Sequence, residues 1–309
     1  MTIVSARVNA TPHGREVLQP GVDKPSATTA GVRPDVPLTV TTTHVPASNT
    51  VYRNLDIKVD VNLSGKTGVQ YENCRFQGGL NSTAQGLVLA QGTHGRGHRF
   101  TDCTFDPQSP NFNKDGIRGY GFTLLRCDIS GVVDGVSVFC TQAPTADVGV
   151  TVQQTWIHDQ AYWPNPPDTN HSDGSHCDGI QWQGSPGLVV RGCLISGILD
   201  PAYQPGQFGT KHTNSCIMIK PDAGPISNAT IVDNWFYGAN ISVNSNDDAP
   251  DRFITNFGTF TGNRFDHDQR AQGGGGNDTW TFLRPVGAAG TFTSNVYEDN
   301  GAAIRIRTQ

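Results

Sequence analysis

The sequence predicts an all-β solenoid, and three observations carry that prediction. One short motif recurs nine times, a second apolar element follows most copies, and apolar residues almost never fall at helical spacing. The motif is a large apolar residue, two variable positions, a mostly small or amide residue, one variable position and another large apolar residue. It reads Tyr52-Leu55-Ile57, Tyr71-Cys74-Phe76, Phe100-Cys103-Phe105, Leu124-Cys127-Ile129, Val152-Thr155-Ile157, Val190-Cys193-Ile195, Ile231-Asn234-Phe236, Phe260-Asn263-Phe265 and Phe292-Asn295-Tyr297. Its middle positions lie 19, 29, 24, 28, 38, 41, 29 and 32 residues apart. Such a period with insertions is expected of stacked turns of chain that carry loops of unequal length.

In chain order the arm comes first. Residues 1–46 hold six prolines and close in the Thr-rich stretch Leu38–His44, so they read as an extended N-terminal arm and candidate attachment segment. Deleting residues 1–36 is expected to leave the body folded. Residues 47–309 read as the solenoid, each turn with at least two short strands: the motif, then Gly86–Leu89, Gly116–Ile117, Gly135–Val138, Gly179–Ile180, Cys216–Ile219, Asn240–Val243 or Ala303–Ile306. Gly, Asp, Asn and Ser between them limit strands to about 3 to 6 residues. Stacking sets Cys74, Cys103 and Cys127 about 4.8 Å apart and continues as an Asn ladder at 234, 263 and 295. That slot reads as an inward corner, where a small side chain packs or an amide bonds its counterpart. The seven cysteines are odd in number, lack a Cys-x-x-Cys pair and read as reduced core residues; Cys177, in a polar loop, is the exception.

Composition limits the function. With 16% charged residues, against about 25% in an average chain, and a net charge of -5, nucleic acid and anionic membranes are poor partners. No apolar run approaches the roughly 20 residues that cross a bilayer, so no membrane insertion is expected. Residues 1–10 offer no secretory leader of usable length, as expected of a chain made and kept in a cytosol. No cofactor is called for.

The steps Asp115-Gly116-Ile117, Asp134-Gly135-Val136 and Asp178-Gly179-Ile180 resemble the Asp-Gly-Ile/Val steps of right-handed parallel β-helix proteins, a family that includes pectate lyase-like enzymes and phage tailspikes. Residues His171–Gln181 are similar to a stretch in β-helix minor tail proteins of actinobacterial phages. The resemblance implies a right-handed single-stranded parallel β-helix of about nine or more rungs. It further implies a virion protein that binds host surface polysaccharide or glycolipid through its lateral face, docks to other tail proteins by its arm and forms a homotrimer. A glycan-degrading enzyme, a hydrolase rather than a lyase, is the alternative.

Chemistry concentrates on one stretch. Asp115, Asp134 and Asp178 occupy equivalent slots, and one or two rungs of about 4.8 Å bracket the carboxyl separations of glycosidases. The competing reading is that Asp before Gly caps its own turn. His171, Asp173, His176 and Asp178 form the densest titratable cluster, suited to acid–base work, to a glycan, to a metal, or to plain loop hydrogen bonding. The longest insertions follow, with Tyr162 and Trp163 as stacking candidates and Lys220 as a cation, and His158-Asp159 ends the rung before. In an enzyme, Asp134 and Asp178 are the expected acid and base, with Asp173, His171 and His176 in support. Asp115, His158, Asp159, Tyr162, Trp163 and Lys220 are the expected binding residues.

Overall fold

The computed structural model describes residues 15, 18–91, 96–140, 149–167, 174–198, 212–224, 226–245, 254–267, 282–284 and 289–308. Among them there is no helix, and the strands fall into three parallel sheets of ten, nine and ten strands. Sheet I runs from Val51–Arg53 to Ala289–Thr293, sheet II from Thr39–Thr41 to Val296–Tyr297, and sheet III from Val61–Asn62 to Ile306–Thr308. From Val51 on, the chain passes through sheets I, II and III in that order nine times. Strands inside each sheet therefore pair with their equivalents one circuit earlier and one circuit later, as Phe122–Leu125 pairs with His98–Thr101 and Val150–Gln153.

The recurring motif is the corner from sheet I to sheet II. The residue before its middle position has positive φ in all nine copies, from 49° at Gln154 to 69° at Gly262. Asn, Asp and Gly tolerate that conformation best, and they supply it at Asn54, Asn73, Asp102, Gly192, Asp233 and Gly262. The middle residue points inward, where Cys and Asn do the same work. Cys103 and Cys193 donate from Sγ to the carbonyls of Tyr71 and Val152, at 3.6 and 3.4 Å. Asn234 and Asn263 donate from Nδ2 to the carbonyls of Val190 and Ile231, at 3.0 and 2.9 Å. Each acceptor is the first motif residue of the preceding circuit. The Asn run adds a ladder, since Asn234 Nδ2 also donates to Asn263 Oδ1 and Asn263 Nδ2 to Asn295 Oδ1.

The other motif positions fill one continuous core. Tyr71 stacks on Phe100 with ring centroids 5.4 Å apart, Phe76 on Phe105 at 4.8 Å, and Phe260 on Phe282 at 4.7 Å. All seven cysteines are free and buried. Cys177 corrects the expectation: it is buried as well, and its Sγ donates to the His212 carbonyl at 3.2 Å. Trp182 is in the core as well.

The described part of the arm lies along the body. Thr39–Thr41 pairs with Leu55–Ile57 as the first strand of sheet II. Ahead of it the chain follows the I–II corner: Arg33 N–H donates to Asn73 Oδ1, Val32 N–H to Thr104 Oγ1, and Gly31 N–H to the Arg126 carbonyl, at 2.7 to 2.9 Å. Farther along the corner, Gln154 Nε2 donates to the Leu18 carbonyl at 2.6 Å, and Lys24 reaches Glu298 at 2.7 Å. Residues 1–14 lie outside the described residues.

Candidate functional site

Asp115, Asp134 and Asp178 stand in one register column at the entry to sheet III. Each precedes by two residues a member of the paired row Ile117, Val136 and Ile180. The glycines after them are there because nothing larger fits. A Cβ on Gly179 would lie 2.6 Å from the Cys216 carbonyl oxygen and 2.3 Å from Ile195 Cγ2. Circuits thus approach closely at this column, and the three carboxylates are buried.

Burial sets their chemistry. It pushes the Asp178 carboxyl up to about 8 and that of Asp115 to about 6, the latter against the pull of Arg118, whose Nη1 lies 3.1 Å away. Asp134 is held well above the usual range by burial and by the charges of Asp115 and Asp178 on either side. Asp134 Oδ1 accepts the backbone N–H of Asp178 at 2.9 Å, and Asp178 Oδ1 accepts from Asn214 Nδ2 at 3.0 Å. Ser215, the register neighbour of Asp178, also interacts with the carboxyl through its backbone N–H and its hydroxyl, which works against the effect of burial.

A cleft of about 550 Å³ opens over sheet III. Its floor holds Asp178, Gln181 and Gln183 of one circuit and Asn214, Met218, Lys220 and Asp222 of the next. Gln85, Phe112, Asn113 and Val133 come from earlier circuits, and Pro166, Ser175 and His176 from the long insertion. Five of these fourteen residues are Asn or Gln, which offer donor and acceptor without charge. Lys220 and Asp222 form a cation–anion pair among them, with atoms 3.7 Å apart.

Of the expected site residues, the cleft brings together Asp178, His176 and Lys220. Asp115 and Asp134 sit beneath it as hydrogen-bonded parts of the stacked turns and do not line it, so the expected pair of cleft carboxylates is not formed by Asp134 and Asp178. His158 and Asp159 are not among the residues that line the cleft and directly follow the sheet II strand Trp156–Ile157. There His158 Nε2 meets Asp128 at 2.9 Å, Nδ1 meets Asp159 at 2.7 Å, and the ring stacks 3.6 Å from Trp156. Burial works against the His158 imidazolium, and the two carboxylates overcome it, leaving its pKa raised. Tyr162 and Trp163 do not line the cleft. Tyr162 packs against His212 with ring centroids 5.1 Å apart, and Trp163 is tied to Ser175 by two bonds of 2.9 Å, its N–H donating to Ser175 Oγ and its carbonyl accepting from Ser175 N–H. His171 and Asp173 lie outside the described residues. Among the described residues no three His, Cys, Asp or Glu side chains form a metal-binding group.

The sequence reading overlooked Gln181, Gln183, Asn214 and Met218. The signal was the alternation in Ile180-Gln181-Trp182-Gln183 and Ile217-Met218-Ile219-Lys220, which turns every second side chain outward. Compared with known proteins, the chain matches no family model, no curated protein and no solved structure.

Proposed function

We propose that the chain is a right-handed parallel β-helix of a phage tail that binds a host surface glycan in the cleft over sheet III. The cleft carries the reading: five amide side chains with Phe112 and Met218 among them suit a hydroxyl-rich ligand, which needs many neutral hydrogen bonds and some apolar contact. The likeness of residues 171–181 to minor tail proteins of actinobacterial phages supports the virion setting, and homotrimeric assembly and arm docking belong to the same proposal. The test is binding of envelope polysaccharide extracted from actinobacterial cells. The wild type should bind, and Gln181→Ala with Gln183→Ala should weaken binding at least tenfold without changing the melting temperature. Equal binding by the double variant would exclude the cleft.

Hydrolysis has one specific observation in its favour, since Asp178, raised to about 8, holds a proton at neutral pH as a general acid must. Release of reducing ends from the same polysaccharide, abolished by Asp178→Asn, would make the protein an enzyme.

A further inference from the structure

Asn214 is held at both its backbone and its side chain. Its backbone N–H donates to the Cys177 carbonyl at 2.7 Å, and its carbonyl accepts from Ile241 N–H at 3.1 Å. One side-chain N–H is taken by Asp178 Oδ1 at 3.0 Å, and Asp178 is in turn anchored through its own N–H to Asp134 Oδ1 at 2.9 Å. These bonds orient the amide: with Nδ2 on the carboxyl, Oδ1 and the second N–H of Asn214 are left for whatever enters the cleft.

We propose that Asn214 is the specificity-determining residue of the cleft, presenting one acceptor and one donor side by side to two adjacent hydroxyls of a neutral sugar, and that Asp178 is the positioning residue that fixes its orientation. This rests on the glycan reading. An amide edge with both groups fixed matches a vicinal diol, in which one hydroxyl donates to Oδ1 while its neighbour accepts from Nδ2. The Lys220–Asp222 pair favours neither an anionic nor a cationic ligand. Asp178 is 1% exposed, so its effect reaches the ligand through Asn214. The arrangement explains why a buried carboxyl without a cation beside it stands at this position of the column, when Ser215 and Ile241 hold it in the next two circuits.

The test uses the full chain on an immobilised panel of neutral oligosaccharides and, for the tightest binder, on monodeoxy analogues lacking each hydroxyl of a vicinal pair. For the wild type, removing either hydroxyl of the recognised pair should weaken binding about tenfold, the factor for one hydrogen bond. Asn214→Ala should bind the parent sugar about tenfold more weakly and no longer distinguish parent from deoxy analogues, while remaining folded at the assay temperature. Asp178→Ala should behave like Asn214→Ala, whereas Asp178→Asn, which keeps a carbonyl oxygen for Asn214, should retain the discrimination. Retained discrimination in Asn214→Ala overturns the inference while leaving the glycan reading in place, and retained discrimination in Asp178→Ala removes the positioning role. If the wild type binds no member of the panel, the glycan reading falls and takes this ligand with it. A side-chain amide of Asn214 whose hydrogen exchange does not quicken in Asp178→Ala would refute the anchoring independently of any sugar.

Discussion

Asn234 donates its side-chain N–H to Oδ1 of Asn263 at 2.9 Å, inside a body where both residues are fully buried. The same Oδ1 accepts the Asn234 backbone N–H at 3.1 Å, and Asn263 donates onward to the Ile231 carbonyl and to Asn295. Asn263→Leu fills similar space but orphans groups on both neighbouring circuits, each costing about 1 to 3 kcal/mol. The variant should lose roughly 3 kcal/mol or more in chemical denaturation, and a loss under 1 kcal/mol would mean the ladder contributes little.

The Asp column makes stability fall as pH rises. Its carboxyls hold protons in the folded chain that the unfolded chain gives up near pH 4, so their contribution is complete below about 4 and is lost as pH climbs through about 6 for Asp115 and about 8 for Asp178. The melting temperature of the wild type should therefore decline between pH 5 and 8, and Asp178→Asn should flatten that decline. A melting temperature that rises over this interval would contradict the burial of the column.

His158 acts with the same sign in a narrower window. Its raised pKa means that the ion pairs with Asp128 and Asp159 contribute fully below about pH 6.5 and fade as pH rises through the folded value. His158→Gln should be less stable than wild type at pH 5.5 and equal to it at pH 9. A gap that persists at pH 9 would assign the loss to the Trp156 stack instead.

The arm makes a third class of contact. Five anchors, at Arg33, Val32, Gly31, Leu18 and Lys24, tie it to circuits along the I–II corner. At about 1 kcal/mol for each bond, deletion of residues 1–36 should leave a folded body that is roughly 3 to 6 kcal/mol less stable. A truncated chain as stable as the full one would show that these contacts do not persist in solution.

The corner itself shows what the sequence made legible. Every circuit has to bury the same two motif residues and turn at the same place, so the motif repeats and its nine copies fall at nine corners. The positive-φ position was hidden among the variable ones because Arg126, Gln154 and Ser294 occupy it too. Gln154 makes sense only once Leu18, 136 residues earlier, lies against it. The Asp-Gly column was visible as a pattern, but its role depends on the next circuit: Asp178 N–H, not a nearby turn, satisfies Asp134. The cleft amides gave little signal, because Gln and Asn are ordinary on an exposed strand face and only the stacking of circuits gathers them.

Gly179 offers the sharpest test of that stacking. A Cβ there meets the Cys216 carbonyl, which is fixed in the neighbouring strand Ser215–Ile219, and the Ile195 side chain across the core. Ile195 can rotate away, but the carbonyl moves only if the circuits separate, so Gly179→Ala should cost roughly 2 kcal/mol or more. Gly187→Ala is the control. Gly187 has φ of 78° and nothing within 4 Å of an added Cβ, so it should lose only about 1 kcal/mol, from the left-handed backbone alone. Because Gly179 adjoins Asp178, the same substitution should also disturb the bond to Asn214, and glycan binding should weaken in Gly179→Ala but not in Gly187→Ala. If the two variants melt alike, the close approach at the Asp-Gly column is not what selects glycine there.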